Sequence, residues 1–164
     1  MTRRQLMSLF SLFGIGAAAQ AGSEAHAAAT PTRADRVVLT DAQWKARLSA
    51  EQYRVLRQEG TEPPHSSALN AEKRAGSFHC AGCQLPLFAH AAKYESGTGW
   101  PSFHTPLPEA LGTSTDYKLL LPRTEYHCAR CGGHQGHVFN DGPRPSGKRY
   151  CNNGVALTFV PAAA

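Results

Sequence analysis

The chain is 164 residues long and carries 17 Lys+Arg against 12 Asp+Glu, a formal net charge of +5. The length supports one domain with its own core. Its basic residues form neither a Lys/Arg block nor a stripe interleaved with aromatics, which argues against a nucleic-acid partner.

The first 27 residues read as an address. Thr2-Arg3-Arg4-Gln5-Leu6-Met7 opens a positively charged stretch, Leu6 to Ala21 is apolar with small residues, and Ala25-His26-Ala27 is a small-x-small cleavage signal. The paired arginines predict a signal peptide of the twin-arginine export type, hence a periplasmic protein that folds and loads any metal before export. The alternative is an uncleaved membrane anchor. The apolar run, broken by Ser8, Ser11, Gly14 and Gly16, falls short of the roughly twenty residues that span a bilayer. Residues 28–38, Ala-rich with Thr30, Pro31 and Thr32, read as a linker, and a domain is predicted over 39–160.

Thr40-Asp41-Ala42-Gln43 and Ser49-Ala50-Glu51-Gln52 both have capping-box form and precede helix-compatible runs, so two short helices are predicted. Gly60 is placed as the stop of the second, with Pro63-Pro64 forbidding its continuation. From Ser77 onward, short apolar runs are cut by Gly, Pro, Asn and Asp. Phe78, Leu85 to Phe88, Tyr117 to Leu121, His137 to Phe139 and Val155 to Val160 are the predicted strands, the last with Val155, Leu157 and Phe159 on one face. The expected class is mainly β and antiparallel, with helices at the start.

Five cysteines divide into two pairs and one remainder. Cys80-Ala81-Gly82-Cys83 and Cys128-Ala129-Arg130-Cys131 are CxxC knuckles with a glycine inside or just after each, the pattern of a tetrahedral four-cysteine zinc site. Such a closed site is structural, since catalytic zinc keeps an open position. Disulfides are the competing reading in an oxidising compartment, but CxxC loops are tight for ordinary structural disulfides. Cys151 has no partner left. Arg149, two residues before it, would favour its thiolate. His134, His137 and Asp141 lie on the Gly-rich segment after the second knuckle, where they read either as acid-base partners for a nucleophile or, for the histidines, as groups behind the metal ligands or on the surface. Trp100, between Gly99 and Pro101, reads either as an indole offered to a pocket or as a core side chain.

Together these segments resemble the methionine-R-sulfoxide reductases, the B class of methionine sulfoxide reductases, over about residues 39 to 160. The resemblance rests on Gly60-Thr61-Glu62-Pro63-Pro64, both knuckles, Ser96-Gly97-x-Gly99-Trp100-Pro101-Ser102-Phe103, Gly136-His137-Val138-Phe139-x-Asp141-Gly142-Pro143 and Arg149-Tyr150-Cys151-x-Asn153. It implies two packed antiparallel sheets with short N-terminal helices and one structural zinc on Cys80, Cys83, Cys128 and Cys131. It also implies Cys151 as nucleophile, surrounded by Trp100, His134, His137, Asp141, Arg149 and Asn153. In that scheme His137, assisted by His134, protonates the sulfoxide oxygen, Asp141 orients an imidazole, and Asn153 orders a water or side chain.

Three positions depart from the family's pattern. Thr98 stands where many members carry a resolving cysteine, His65 replaces an aromatic residue, and Gly154 replaces a serine. A sulfenic acid on Cys151 would then need an external thiol, from a thioredoxin-like protein or a small molecule. The expected partners are oxidised proteins or peptides and that reductant, with membrane contact only during export and a monomeric state. A non-catalytic zinc-ribbon interaction module explains the paired cysteines alone. A thiol-disulfide exchanger built on CxxC is disfavoured because neither knuckle sits between a strand and a helix.

Overall fold

The computed structural model describes residues 33–163. The leader at 1–27 and the first part of the linker lie outside the described residues. Both capping boxes form. Thr40 and Ser49 accept hydrogen bonds from the backbone of Gln43 and Gln52, whose side chains bond back, and these open α1 (Asp41–Arg47) and α2 (Ala50–Gln58). Helix α2 ends on Glu59 in the left-handed region at φ 54°, with Gly60 N–H bonded to Arg54 O. The turn therefore begins one residue before the predicted stop.

Nine strands follow: β1 (Gly76–Cys80), β2 (Pro86–Ala89), β3 (Lys93–Tyr94), β4 (Ser102–Phe103), β5 (Leu111–Asp116), β6 (Arg123–Cys128), β7 (His134–Phe139), β8 (Arg149–Asn152) and β9 (Leu157–Pro161). They make a three-stranded sheet in the order β2-β1-β9 and a six-stranded sheet in the order β3-β4-β8-β7-β6-β5. Every pairing is antiparallel. The expected class, two packed antiparallel sheets with short helices at the N-terminal side, is the observed one.

The sheets meet through aromatic rings. Phe78 and Phe88 of the small sheet contact Phe103 of the large one, Phe88 stacked on it at 4.1 Å between centroids and Phe78 edge-on at 4.9 Å. Tyr126 and Tyr150 extend the cluster. Strand alternation explains the arrangement, because Phe103, Tyr150 and Val138 lie opposite one another across β4, β8 and β7 and all pack on the core. Val55 and Leu56 of α2 are buried in the same core.

Three expectations change. The apolar run Tyr117 to Leu121 is an exposed connection, not a strand. The strands lie on either side of it, in the polar, Thr-containing segments Leu111–Asp116 and Arg123–Cys128. Their partners are supplied by the sheet, which hydropathy does not report. Val155 belongs to a 3-10 turn at Gly154–Ala156, and the final strand starts at Leu157. Residues 33–38 are docked: Val37 N–H bonds to Arg130 O at 2.9 Å, and Asp35 takes both Arg33 and Arg130.

Phe103 is fully buried between the sheets. Phe103→Ala is expected to cost about 3–5 kcal/mol of unfolding free energy, measured by urea denaturation of the metal-loaded protein.

Candidate active site

The register of the large sheet sets one row of side chains across five strands. Ser102 lies opposite Cys151, Cys151 opposite His137, His137 opposite Glu125 and Glu125 opposite Ser114. Directly opposed residues share a face with Cβ atoms about 5 Å apart, so residues distant in the chain become neighbours. The close approach of β7 and β8 depends on Gly136, where a Cβ would sit 1.9 Å from the Cys151 carbonyl oxygen.

Cys151 and His137 line a cavity of about 130 Å³ together with Trp100, Arg123, Phe139 and Asn153. The Trp100 indole N–H donates to Glu62 O at 3.1 Å, which fixes the ring in the wall. Cys151 Sγ faces Thr98 Oγ1 at 4.0 Å, and Thr98 continues into hydroxyl contacts with Ser96 and from Ser96 to Ser102. Burial pushes the Cys151 thiol up, while Thr98 and the Arg149 guanidinium oppose it in part. The thiolate-favouring effect expected of Arg149 is present but outweighed.

His137 Nε2 is held by Asp116 Oδ2 at 2.7 Å, which leaves Nδ1 for a substrate. Burial depresses the pKa of His137 and the Asp116 hydrogen bond acts against it. His134 lies behind this ring at 5.6 Å between centroids, almost fully buried, with Nδ1 on Glu125 Oε1 at 2.7 Å and no partner for Nε2. Burial alone would raise the Glu125 carboxyl, but hydrogen bonds from His127, His134 and Ser114 outweigh it and hold it at about 2.

Asp141 does not reach either imidazole. It forms a two-pronged ion pair with Arg149 at 2.8 and 2.9 Å, and the carboxylates that orient the histidines are Asp116 and Glu125. Asn153 is buried, accepts from Glu62 N–H and donates to Gln135 O, so its bonds order backbone beneath the cavity. Glu62, not singled out from sequence, ties this corner together: its carboxylate accepts from the N–H groups of Gly154 and Val155 at 2.5 and 2.9 Å. The sequence signal was available, since a glutamate in an otherwise apolar Pro-rich turn needs donors when buried. At Gly154 the space a side chain would take is filled by Ser67, whose hydroxyl lies 2.0 Å from the would-be Cβ. His65 sits at positive φ, its N–H bonded to Gly99 O.

The four remaining cysteines converge. All four are buried, with sulfurs within 4.8 Å of one another. The closest pairs across knuckles are 3.7 Å (Cys80–Cys131) and 3.4 Å (Cys83–Cys128), near the ~3.8 Å sulfur spacing of a tetrahedral ion with 2.3 Å bonds. The knuckles are matched turns: Cys80 and Cys128 N–H bond to the oxygens of Leu85 and Gly133, and Gln84 and Gly132 N–H bond back to Cys80 and Cys128. The donor set fits a four-coordinate metal.

Residues 48–161 match the SelR domain. The chain belongs to the methionine sulfoxide reductase B family. It is 50% identical over 120 residues to the peptide methionine sulfoxide reductase MsrB of Pseudomonas putida (strain W619), covering 73% of this chain and 90% of that protein. It is 50% identical over 123 residues to the MsrB of Thiobacillus denitrificans, covering 74% and 93%. The chloroplastic peptide methionine sulfoxide reductase B1 of rice is 46% identical over 120 residues, 73% of this chain and 56% of the rice protein. The chain is thus a peptide methionine sulfoxide reductase.

The cage and the cavity are joined by fully buried Gln135. Its Nε2 donates to Cys80 Sγ at 3.4 Å, and its Oε1 accepts from Asn152, the neighbour of Cys151, at 3.3 Å. Hydrogen-bond partners behind metal ligands typically carry 10–100-fold in metal affinity. Gln135→Leu is expected to lower metal affinity by about tenfold or more, read by competition with a chromogenic chelator.

Proposed function

We propose that this reductase converts methionine-R-sulfoxide in proteins or peptides to methionine through a Cys151 sulfenic acid. The observation that carries the reading is the direct opposition of Cys151 and His137 across β7 and β8 in one cavity walled by Trp100. The Cys151 thiolate attacks the sulfoxide sulfur while His137 Nδ1–H delivers a proton to the oxygen. As the hydroxyl moves from the substrate sulfur to Cys151 Sγ, the substrate S–O bond and the S–S bond formed in the attack both break, leaving Cys151 as S–OH and methionine reduced by two electrons. Asp116 stabilises the imidazolium before transfer, and Glu125 holds His134 as the ring behind it. Arg149, held by Asp141, assists the thiolate. The apolar face of Trp100 receives the substrate methyl group, so that only the R epimer aligns its oxygen with His137.

Four cysteines belong to the cage, and Thr98 faces Cys151, which supports a scheme without an internal resolving thiol. One external thiol displaces hydroxide from the sulfenic acid as water, giving a mixed disulfide. A second thiol releases Cys151 and leaves as the external disulfide. The cage residues Cys80, Cys83, Cys128 and Cys131 would hold zinc, which supplies folding free energy and no chemical step. The paired arginines, apolar run and Ala25-His26-Ala27 support periplasmic work after twin-arginine export.

Incubation with each sulfoxide epimer and dithiothreitol tests the reading. Reduction of the R form alone, lost in Cys151→Ser with metal retained, is expected. Reduction of the S form or activity in that variant contradicts it. Without thiol, one equivalent of R-sulfoxide is expected to leave one added oxygen on Cys151 by mass spectrometry, and an internal disulfide would refute the scheme.

The scheme needs His137 protonated and Cys151 ionised, although burial moves both groups toward neutrality. The pH profile of kcat/KM is therefore expected to be flat between an acid limb below 6.5 and an alkaline limb above 9.0, the ordinary values of the two groups. Asp116→Asn removes an interaction that raises the His137 pKa, so the acid limb should move to lower pH.

A further inference from the structure

The connection between β5 and β6 exposes four large apolar side chains in five residues: Tyr117 at 75%, Leu119 at 58%, Leu120 at 99% and Leu121 at 75%. The other exposed large apolar residues among those described, Val38 and Val160, are isolated in the chain. Scattered apolar residues on a surface need no explanation, but consecutive leucines in solvent do.

The base of this loop is built into the active site. Asp116 and Arg123 are the last opposed pair of β5 and β6 and form an ion pair at 2.7 Å. The same Asp116 carboxylate oxygen receives His137 Nε2, and Arg123 lines the cavity with Cys151 and Trp100. Lys118 is fastened at both ends, its N–H to Asp116 Oδ1 at 2.8 Å and its ammonium to Glu59 at 2.5 Å. The leucines therefore project from a stem whose two feet are groups of the catalytic cavity.

We propose that Leu119, Leu120 and Leu121 form a docking lip that binds apolar side chains flanking the methionine sulfoxide in a polypeptide substrate. This rests on the sulfoxide-reductase reading and specifies which substrates that site favours. The cavity, at about 130 Å³, accommodates little beyond one side chain, so flanking residues of the substrate must lie across its rim. Methionine is itself a residue of apolar environments, so an exposed segment that carries its sulfoxide brings core-forming side chains into solvent, and such a lip would shield them from water. A lipid surface fits less well. Interfacial segments pair apolar residues with free cations, whereas the lysine of this loop is neutralised by Glu59.

The test compares kcat/KM of the wild type and of the triple variant Leu119→Ser, Leu120→Ser, Leu121→Ser on three probes. These are N-acetylmethionine-R-sulfoxide, a peptide with central methionine-R-sulfoxide flanked by Leu and Val, and the same peptide flanked by Ser and Gly. The wild type is expected to prefer the apolar peptide by about tenfold or more, equivalent to about 1.4 kcal/mol. The triple variant should lose that preference while its rate on N-acetylmethionine-R-sulfoxide stays within about twofold of the wild type. Leu120→Ser alone, at a side chain already in solvent, cannot disturb the core and should show a partial loss. No preference in the wild type, or an undiminished one in both variants, overturns the proposal. Leucine-dependent binding to phosphatidylglycerol vesicles without a peptide preference overturns it in favour of a lipid surface. If the wild type reduces none of the three probes, the functional reading itself fails, and the lip with it.

Discussion

The pairing of β7 with β8 is the constraint on which the site depends. It places His137 opposite Cys151, and it holds only because Gly136 lets the Cys151 carbonyl approach a position that any Cβ would fill. Because side chains alternate along each strand, the same ladder sends Val138 and Tyr150 into the aromatic core. A slip of one residue would exchange the chemical face for the packing face. Core packing and catalytic geometry are thus two faces of one register, and the stacked Phe88 and Phe103 rings help keep it in place.

The metal cage acts on this ladder from one end. Its second knuckle runs directly into β7, and Gln135, the second residue of that strand, touches Cys80 Sγ with its side chain while its carbonyl oxygen holds Asn153. A bound ion would fix the thiolate that Gln135 donates to, and so orient the amide that supports Asn152. Along the same strand, two buried or half-buried histidines are each held by a carboxylate, Asp116 for His137 and Glu125 for His134. Burial disfavours both the Cys151 thiolate and the His137 imidazolium. In the proposed scheme, substrate that displaces water while accepting a hydrogen bond from His137 would favour the imidazolium and thiolate over the neutral forms.

Much of this was legible in the chain. The capping boxes at Thr40 and Ser49, both knuckles, the leftover Cys151 and the fold class each rest on local patterns with a physical cause, and the structure contains them. The carboxylates were harder to read. Asp141 is close to the histidines in sequence but turns to Arg149, whereas Asp116 and Glu125 reach the imidazoles through strand pairings that no local spacing encodes. Hydropathy also misled at Tyr117 to Leu121. It reports apolar side chains but not whether anything covers them, and the neighbouring polar strands are held by ladder partners instead. Glu62 was hidden for the same reason, because its role lies in contacts with residues about ninety positions away.

The most direct test of the central claim is Gly136→Ala, assayed for kcat/KM on methionine-R-sulfoxide alongside metal content and circular dichroism. A methyl group wedged between β7 and β8 should move His137 relative to Cys151 and lower kcat/KM by about a hundredfold, with the four-cysteine cage still loaded. A folded, metal-loaded variant with kcat/KM within about twofold of the wild type, against that hundredfold expectation, would contradict the account.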